Sequence, residues 1–257
     1  MKVGKKTQDR LASGLKKYQR IIRKLAERDI SEADTVTVVK DIMCDVFGYD
    51  KYDELTSEQQ IRGTFCDLAV QVDGKVHYLA EVKSAGTTLA ENHLRQAVNY
   101  GAHAGIEWVI LTNAIHWKVY RIKFGKPVDW EEVCSFNLGE LSLRSKEDLE
   151  KLIILCRESI ATDALEAFHK QAQILNRYVV AEIAQSDAVV GVIRREIRKL
   201  FDGTKITDEQ LRVILTNGVI KRDALDGEEP KNARSMVKKA TNALARKAAK
   251  KREAEAT

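Results

Sequence analysis

Two alternating stretches joined by Asp73-Gly74 constrain this chain more than any other feature of its sequence. Residues 64–72 (TFCDLAVQV) and 75–83 (KVHYLAEVK) repeat with a period of two, the mark of strands with one buried face. Asp-Gly between such runs signals a hairpin, because a tight hairpin turn needs positive φ at its central residues. The loop length sets the register. A two-residue loop pairs Val72 with Lys75 and puts Asp67 and Glu81 on opposite faces. A three-residue loop gathers Cys66, Leu68, Val70 and Val72 with Val76, Tyr78, Ala80 and Val82 on one wholly apolar face. It leaves Asp67, Glu81 and Lys83 together on the other. The uniform apolar face favours the three-residue loop, since a slip of one residue reverses every side chain.

Around the hairpin the period changes. Leu11, Leu15, Tyr18, Ile21, Ile22 and Leu25 recur at helical spacing and predict a helix over 9–28. Ser31-Glu32-Ala33-Asp34 reads as a capping box opening a second helix that stops at Gly48. Residues 89–104 read as a helix ending near Gly105. Residues 107–112 and 117–122 read as strands around the turn Asn113-Ala114-Ile115-His116, and 133–138 as a last short strand. From Lys146 onward the pattern is helical, over about 146–159, 162–184, 187–201, 207–216 and a basic stretch from about 230. The expected organisation is therefore a basic N-terminal helix (1–29), an α/β core (30–143) and a helical C-terminal domain with a basic tail (144–257).

Composition excludes several classes. With 257 residues and 44% hydrophobic content the chain can bury a sizeable core. No apolar run approaches the length of a membrane span, and the charged start carries no secretory signal. Cys44, Cys66, Cys134 and Cys156 form no CxxC pair, which argues against a zinc ribbon and for reduced core thiols in a cytoplasmic protein. The net charge of +5 divides unevenly: +7 over 1–29, −7 over 30–143 and +5 over 144–257, with nine basic residues and no acid in 231–252. Basic flanks around an acidic middle suit a protein that grips a polyanion by its phosphates, although runs of this kind also serve solubility alone.

Asp67, Glu81 and Lys83 on one strand face are costly unless paired or used. Carboxylates facing one point suit a hard divalent cation, which takes the rest of its shell from water and phosphate oxygens. A lysine beside them can orient or deprotonate a water and neutralise charge developing on phosphorus. The chemistry implied is metal-assisted hydrolysis of a phosphodiester. The bland alternative is a surface salt-bridge ladder.

Asp67 followed by a hairpin and Glu81-Val82-Lys83 resembles the D…ExK core of the PD-(D/E)XK nucleases. The wider stretch resembles the N-terminal nuclease domain of type I restriction enzyme R subunits and its stand-alone relatives. The matching elements are Glu32, Phe47-Gly48-Tyr49, Ser57-Glu58, Phe65-Cys66-Asp67-Leu68, Gln96-Ala97-Val98-Asn99-Tyr100, Leu111-Thr112-Asn113, Trp117 and Tyr120. The resemblance implies a restriction-endonuclease-like α+β fold: a mixed sheet flanked by helices, followed by an all-helical region. It implies that Asp67, Glu81 and the Val82 carbonyl bind Mg²⁺ (or Mn²⁺), with Glu32 as an additional ligand. Lys83 would serve the nucleophilic water, Gln96 and Tyr100 would act near the site, and hydrolysis would leave a 5′-phosphate and a 3′-hydroxyl. Two positions depart from the pattern: Cys66 replaces the usual Pro, and Ala114 replaces a Gly often found after Thr-Asn.

The sequence contains no GxxxxGK[ST] phosphate loop, so the resemblance is to the nuclease module and not to a translocating motor. The leading expectation is a Mg²⁺-dependent endodeoxyribonuclease in restriction or defence, acting on DNA. A homodimer through the helices of 146–201, or a separate targeting or motor subunit, are the partners it implies, with no membrane association. The alternatives are a catalytically silent DNA- or partner-binding module on the same scaffold, and a repair or junction-resolving nuclease. Trp117 and Tyr120 are expected in the core, and His77 outside the site.

Overall fold

The computed structural model describes residues 3–28, 30–61 and 64–255. The chain forms two compact units, Met1–His169 and Lys170–Thr257. In the first, six strands form one sheet whose spatial order follows the sequence: β1 (Leu55–Ile61), β2 (Thr64–Val72), β3 (Lys75–Val82), β4 (Trp108–Thr112), β5 (His116–Lys123) and β6 (Asp129–Asn137). Neighbours are antiparallel except β3 and β4. That parallel pair needs a crossover, which α3 (Arg95–Ala104) supplies. The expected mixed, largely antiparallel sheet is what forms. β1 escaped the sequence reading because LTSEQQI has few β-branched or aromatic residues to announce it.

Helices cover both faces. On one side α1 (Lys5–Ala26) and α2 (Glu32–Asp45) bury Leu11, Leu15, Tyr18, Ile22, Val39, Ile42 and Met43 against Leu68, Val70, Tyr78, Ala80, Val82, Ile110 and Trp117. Residues 152–156, from the end of α4 (Lys146–Ile153) to the start of α5 (Arg157–Ile160), join the same cluster. On the other side α3 packs Ala97, Val98 and Tyr100 against Ala69, Leu79, Val109, Leu111, Tyr120 and Ile122. Gly101 permits the close approach of α3, for a Cβ there would lie 2.5 Å from Ile122 Cδ1 and 2.9 Å from the Ile106 carbonyl oxygen. Ser31 caps α2 by accepting the Asp34 N–H, and the Asp34 carboxylate takes the Ser31 hydroxyl in return. α3 ends on Gly105 at φ 71°.

The Phe47-Gly48-Tyr49 segment is a structural joint. Phe47 meets Trp117 edge to face, with ring centroids 5.4 Å apart, and Trp117 stacks on Phe136, so Trp117 is a core residue as expected. Gly48 sits at φ +86° against the Arg10 guanidinium, which donates to the carbonyls of Val46 and Phe47 and to Glu158. The Tyr49 hydroxyl donates to the Leu155 carbonyl.

The hairpin corrects the expected loop. The turn is two residues long, with Asp73 at φ 52° and Gly74 at φ 76°, and Val72 pairs with Lys75. A bulge follows between Val70 and Gln71, so that pairing resumes at Val70↔Tyr78 and Leu68↔Ala80. The register at the far end is therefore the one expected, reached through a bulge in place of a longer loop. His77 is the extra residue. Val76 consequently packs towards the α3 layer and not with Tyr78, contrary to the single apolar face expected.

The C-terminal helices are shorter than expected. The stretch 146–159 divides into α4 and α5, and 162–184 into α6 (Ala164–Ile174) and α7 (Arg177–Ala184). Asn176 makes the second break, its side chain accepting the N–H groups of Tyr178 and Val179 at 3.0 Å. The second unit continues with α8 (Asp187–Leu200), α9 (Asp208–Ile214) and α10 (Glu228–Glu255). Thr207 and Gln210 form a reciprocal capping box at the start of α9. Val179, Ala181, Val190, Leu211, Ala224 and Ala233 are its buried apolar residues. Among the described residues, no helix is long and apolar enough to cross a membrane.

Candidate active site

The main-chain ladder between β2 and β3 reaches Leu68↔Ala80, and beyond that pair side chains bridge the two strands. The Cys66 thiol lies 3.3 Å from the Ala80 carbonyl oxygen, and the Val82 N–H donates to Asp67 Oδ2 at 2.6 Å. The strands are thus held apart by a thiol and a carboxylate. This explains a second departure from the expected face, since Cys66 packs in the α3 layer and not with Leu68. In an extended strand one residue's N–H and C=O leave on the same edge, so the Val82 carbonyl also faces the Asp67 side.

Glu81 follows Leu79 at strand spacing and is only 4% exposed. Its carboxylate accepts from Lys83 Nζ at 2.8 Å, and Lys83 Nζ also lies 3.3 Å from Glu32 Oε1 at the first turn of α2. The four predicted charged residues therefore meet at one end of the sheet. Burial pushes the Glu81 carboxyl up to about 7; Lys83 opposes this, while Asp67 and Glu32 add to it. Burial would lower the Lys83 ammonium, but Glu81, Glu32 and Asp67 outweigh it and hold it above its ordinary value. A carboxylate kept this dry beside two others is electrostatically suited to a cation.

Gln96 and Tyr100 separate by burial. Tyr100 lies in the α3 core at 1% exposure, its hydroxyl pushed up by burial and then by Cys66. Gln96, one turn earlier, is exposed on the surface of α3. Tyr100 thus backs the residue next to Asp67. The Cys66 thiol itself is pushed up to about 12 by burial and by Glu81, so it is a structural group. Tyr120 is buried and its hydroxyl donates to Glu132. The side chains of Glu58 and Phe65, two members of the motif set, lie outside the described residues.

Asn113 has a larger part than the sequence assigned to it. At 2% exposure, its Nδ2 donates to the carbonyls of Ala85 and Thr87. Its Oδ1 accepts from the N–H groups of Ile115 and His116. It thus ties the segment that follows Lys83 to the β4–β5 turn. The signal available in the sequence was an Asn at a turn, where its side chain can stand in for main chain. Ala114, in the place of the frequent Gly, adopts φ 69°.

Among the described residues, no group of three or more His, Cys, Asp and Glu side chains converges as a metal cage. The oxygen donors at the site are the Asp67 and Glu81 carboxylates and the Val82 carbonyl, with Glu32 reached across Lys83. That donor set is too small for an all-protein cage, but it fits a hard divalent ion that keeps several waters.

Residues 40–134 match the family described as type I restriction enzyme R protein N terminus. The matched stretch contains Asp67, Glu81, Lys83, Gln96, Tyr100 and Asn113, and begins after Glu32. No curated protein and no solved structure matches the chain.

Proposed function

We propose that this chain is a divalent-metal-dependent endodeoxyribonuclease of the PD-(D/E)XK kind, acting in restriction of foreign DNA. The observation that carries the reading is the opened end of the β2–β3 hairpin. There Asp67 holds the Val82 amide, and Glu81 and Lys83 are paired at 2.8 Å beside Glu32. The match of residues 40–134 to a restriction enzyme family supports the substrate and the setting.

Asp67, Glu81 and the Val82 carbonyl would hold Mg²⁺ or Mn²⁺, with Glu32 as an outer ligand. When bound, such an ion supplies Lewis-acid polarisation of the phosphodiester and a more acidic water. The chain's own residues do the rest. Asp67 fixes the Val82 peptide so that its carbonyl is aimed at the site. Lys83 orients the attacking water and neutralises charge building on the phosphate oxygens. Glu32 and Glu81 hold the Lys83 ammonium in place for that task. Asn113 fixes the main chain beyond Lys83. Gln96, exposed on α3, is placed for contact with DNA, and Tyr100 supports Cys66 and Asp67 from behind. One such site cuts one strand, so a double-strand break takes a second copy of the chain or two successive nicks.

The test is a cleavage panel: supercoiled DNA and Mg²⁺ with wild type, Glu81→Ala and Lys83→Ala. Cleavage by the wild type alone supports the proposal. Equal cleavage by all three, or none by any on supercoiled, linear, single-stranded and branched DNA, overturns it.

A further inference from the structure

The second unit carries a feature that the cleavage chemistry does not use. α10 spans Glu228–Glu255, yet only its beginning is packed. Ala233 is 5% exposed, Met236 and Val237 are half-buried, and every residue over 238–249 is exposed. The packed part also spends its cations locally, for Lys231 pairs with Glu228 at 2.7 Å and Arg234 with Glu182 at 3.3 Å. Lys238, Lys239, Arg246 and Lys247 enter no ion pair among the described residues, and 231–252 holds nine basic residues and no acid.

The helix is held by propensity and not by packing: Ala240, Ala243, Ala245, Ala248 and Ala249 fill the unpacked half. Lys238 and Lys239, and Arg246 and Lys247, are neighbours with no acid between them, and like charges this close repel each other. An apolar partner finds little to grip, since Leu244 is the one large apolar side chain in 238–249. The eighteen residues from Lys238 to Glu255 at ~1.5 Å each extend about 27 Å, most of one turn of duplex DNA. Duplex DNA offers one negative charge per ~1.7 Å of axis along that length.

We infer that the unpacked half of α10, from Lys238 onward, is an arm for the phosphate backbone of duplex DNA, binding without regard to sequence. This rests on the nuclease reading for its choice of polyanion. Relief of the repulsion along the arm makes its helix firmer when DNA is bound.

The experiment measures binding of a labelled 30-base-pair duplex to the full chain in EDTA, across a series of salt concentrations. Wild type is compared with the quadruple variant Lys238→Gln, Lys239→Gln, Arg246→Gln and Lys247→Gln. Glutamine keeps helix propensity, and the four sites are exposed, so an unchanged melting temperature confirms that the fold is intact. The expected result is at least a tenfold loss of affinity at low salt, and a salt slope shallower by about 2–4 because fewer counterions are released. Unrelated duplexes should lose equally. Unchanged affinity and slope overturn the arm, as does binding of the wild type to vesicles of anionic phospholipid with none to DNA. The two proposals separate cleanly. Arm-dependent binding with no Mg²⁺-dependent cleavage sinks the nuclease and leaves the arm, and cleavage with arm-independent binding does the reverse.

Discussion

The Val82 amide donates to Asp67 Oδ2 at 2.6 Å, so one carboxylate oxygen of the site is engaged by the main chain of the strand that carries Glu81 and Lys83. Asp67 therefore has a structural part beside the chemical one proposed for it, and two substitutions separate them. Asp67→Asn retains an oxygen that accepts the Val82 N–H, whereas Asp67→Ala strands it. Hydrogen bonds to charged groups contribute ~1.5–3 kcal/mol. Thermal melts should place Asp67→Asn above Asp67→Ala, while both lose cleavage by at least ~100-fold. Equal melting of the two variants would show that the bond carries no stability.

Glu81 is buried among carboxylates, which costs stability that the proposed divalent ion would recover on binding. Mg²⁺ at millimolar concentration should raise the melting temperature of wild type. At a hundredfold excess over its dissociation constant the gain is about 2.7 kcal/mol. Glu81→Gln should melt at or above the ion-free wild type and show no rise with Mg²⁺. A rise of the same size in the variant would place the ion elsewhere.

Asn113 makes four hydrogen bonds from a buried position. Asn113→Asp keeps the two that its oxygen accepts and turns a carboxylate towards the Ala85 and Thr87 carbonyls. Destabilisation of about 2–4 kcal/mol is expected. Because the loosened segment follows Lys83, kcat should fall while KM for DNA stays within about twofold, a split that steady-state kinetics reads directly. A raised KM with unchanged kcat would remove the positioning role.

Arg10 holds the Glu158 carboxyl down at about 2, from an ordinary value of 4.5, chiefly through their hydrogen bonds. A depressed carboxylate stabilises the fold above its unfolded pKa, and that contribution is lost as pH falls from about 4.5 towards about 2. Arg10→Met should therefore lower stability at pH 6 and flatten the pH dependence between 5 and 2. Parallel wild-type and variant curves in chemical denaturation would refute the linkage.

Much of this was legible beforehand, for identifiable reasons. Asp67, Glu81 and Lys83 could be read as one cluster because strand parity is a local property, whereas Glu32 joined them only through the family resemblance. The Ser31 cap and the Gly105 stop were likewise local and came out as read. β1 was not legible, because few of its residues have β-propensity and the strand is fixed by its pairing with β2. The break at Asn176 hid inside a continuous helical pattern, since Asn is tolerated mid-helix and acts as a cap only once the chain turns. Alternation misplaces Cys66 because it fails beyond the point where the ladder opens. Gln96 and Tyr100 were grouped by motif, and only packing shows that one faces solvent and the other the core.

The bulge at His77 makes the hairpin's two ends independent of each other. Removing that residue would leave Val72 opposite Lys75 and Leu68 opposite Ala80 in an uninterrupted ladder, with the carboxylates still on a common face. Removing any residue between Tyr78 and Glu81 would instead turn Glu81 away from Asp67. The spare residue acts as a mechanical clutch: the loop end of the hairpin can drift in length or composition over evolution, while the charged end stays in gear.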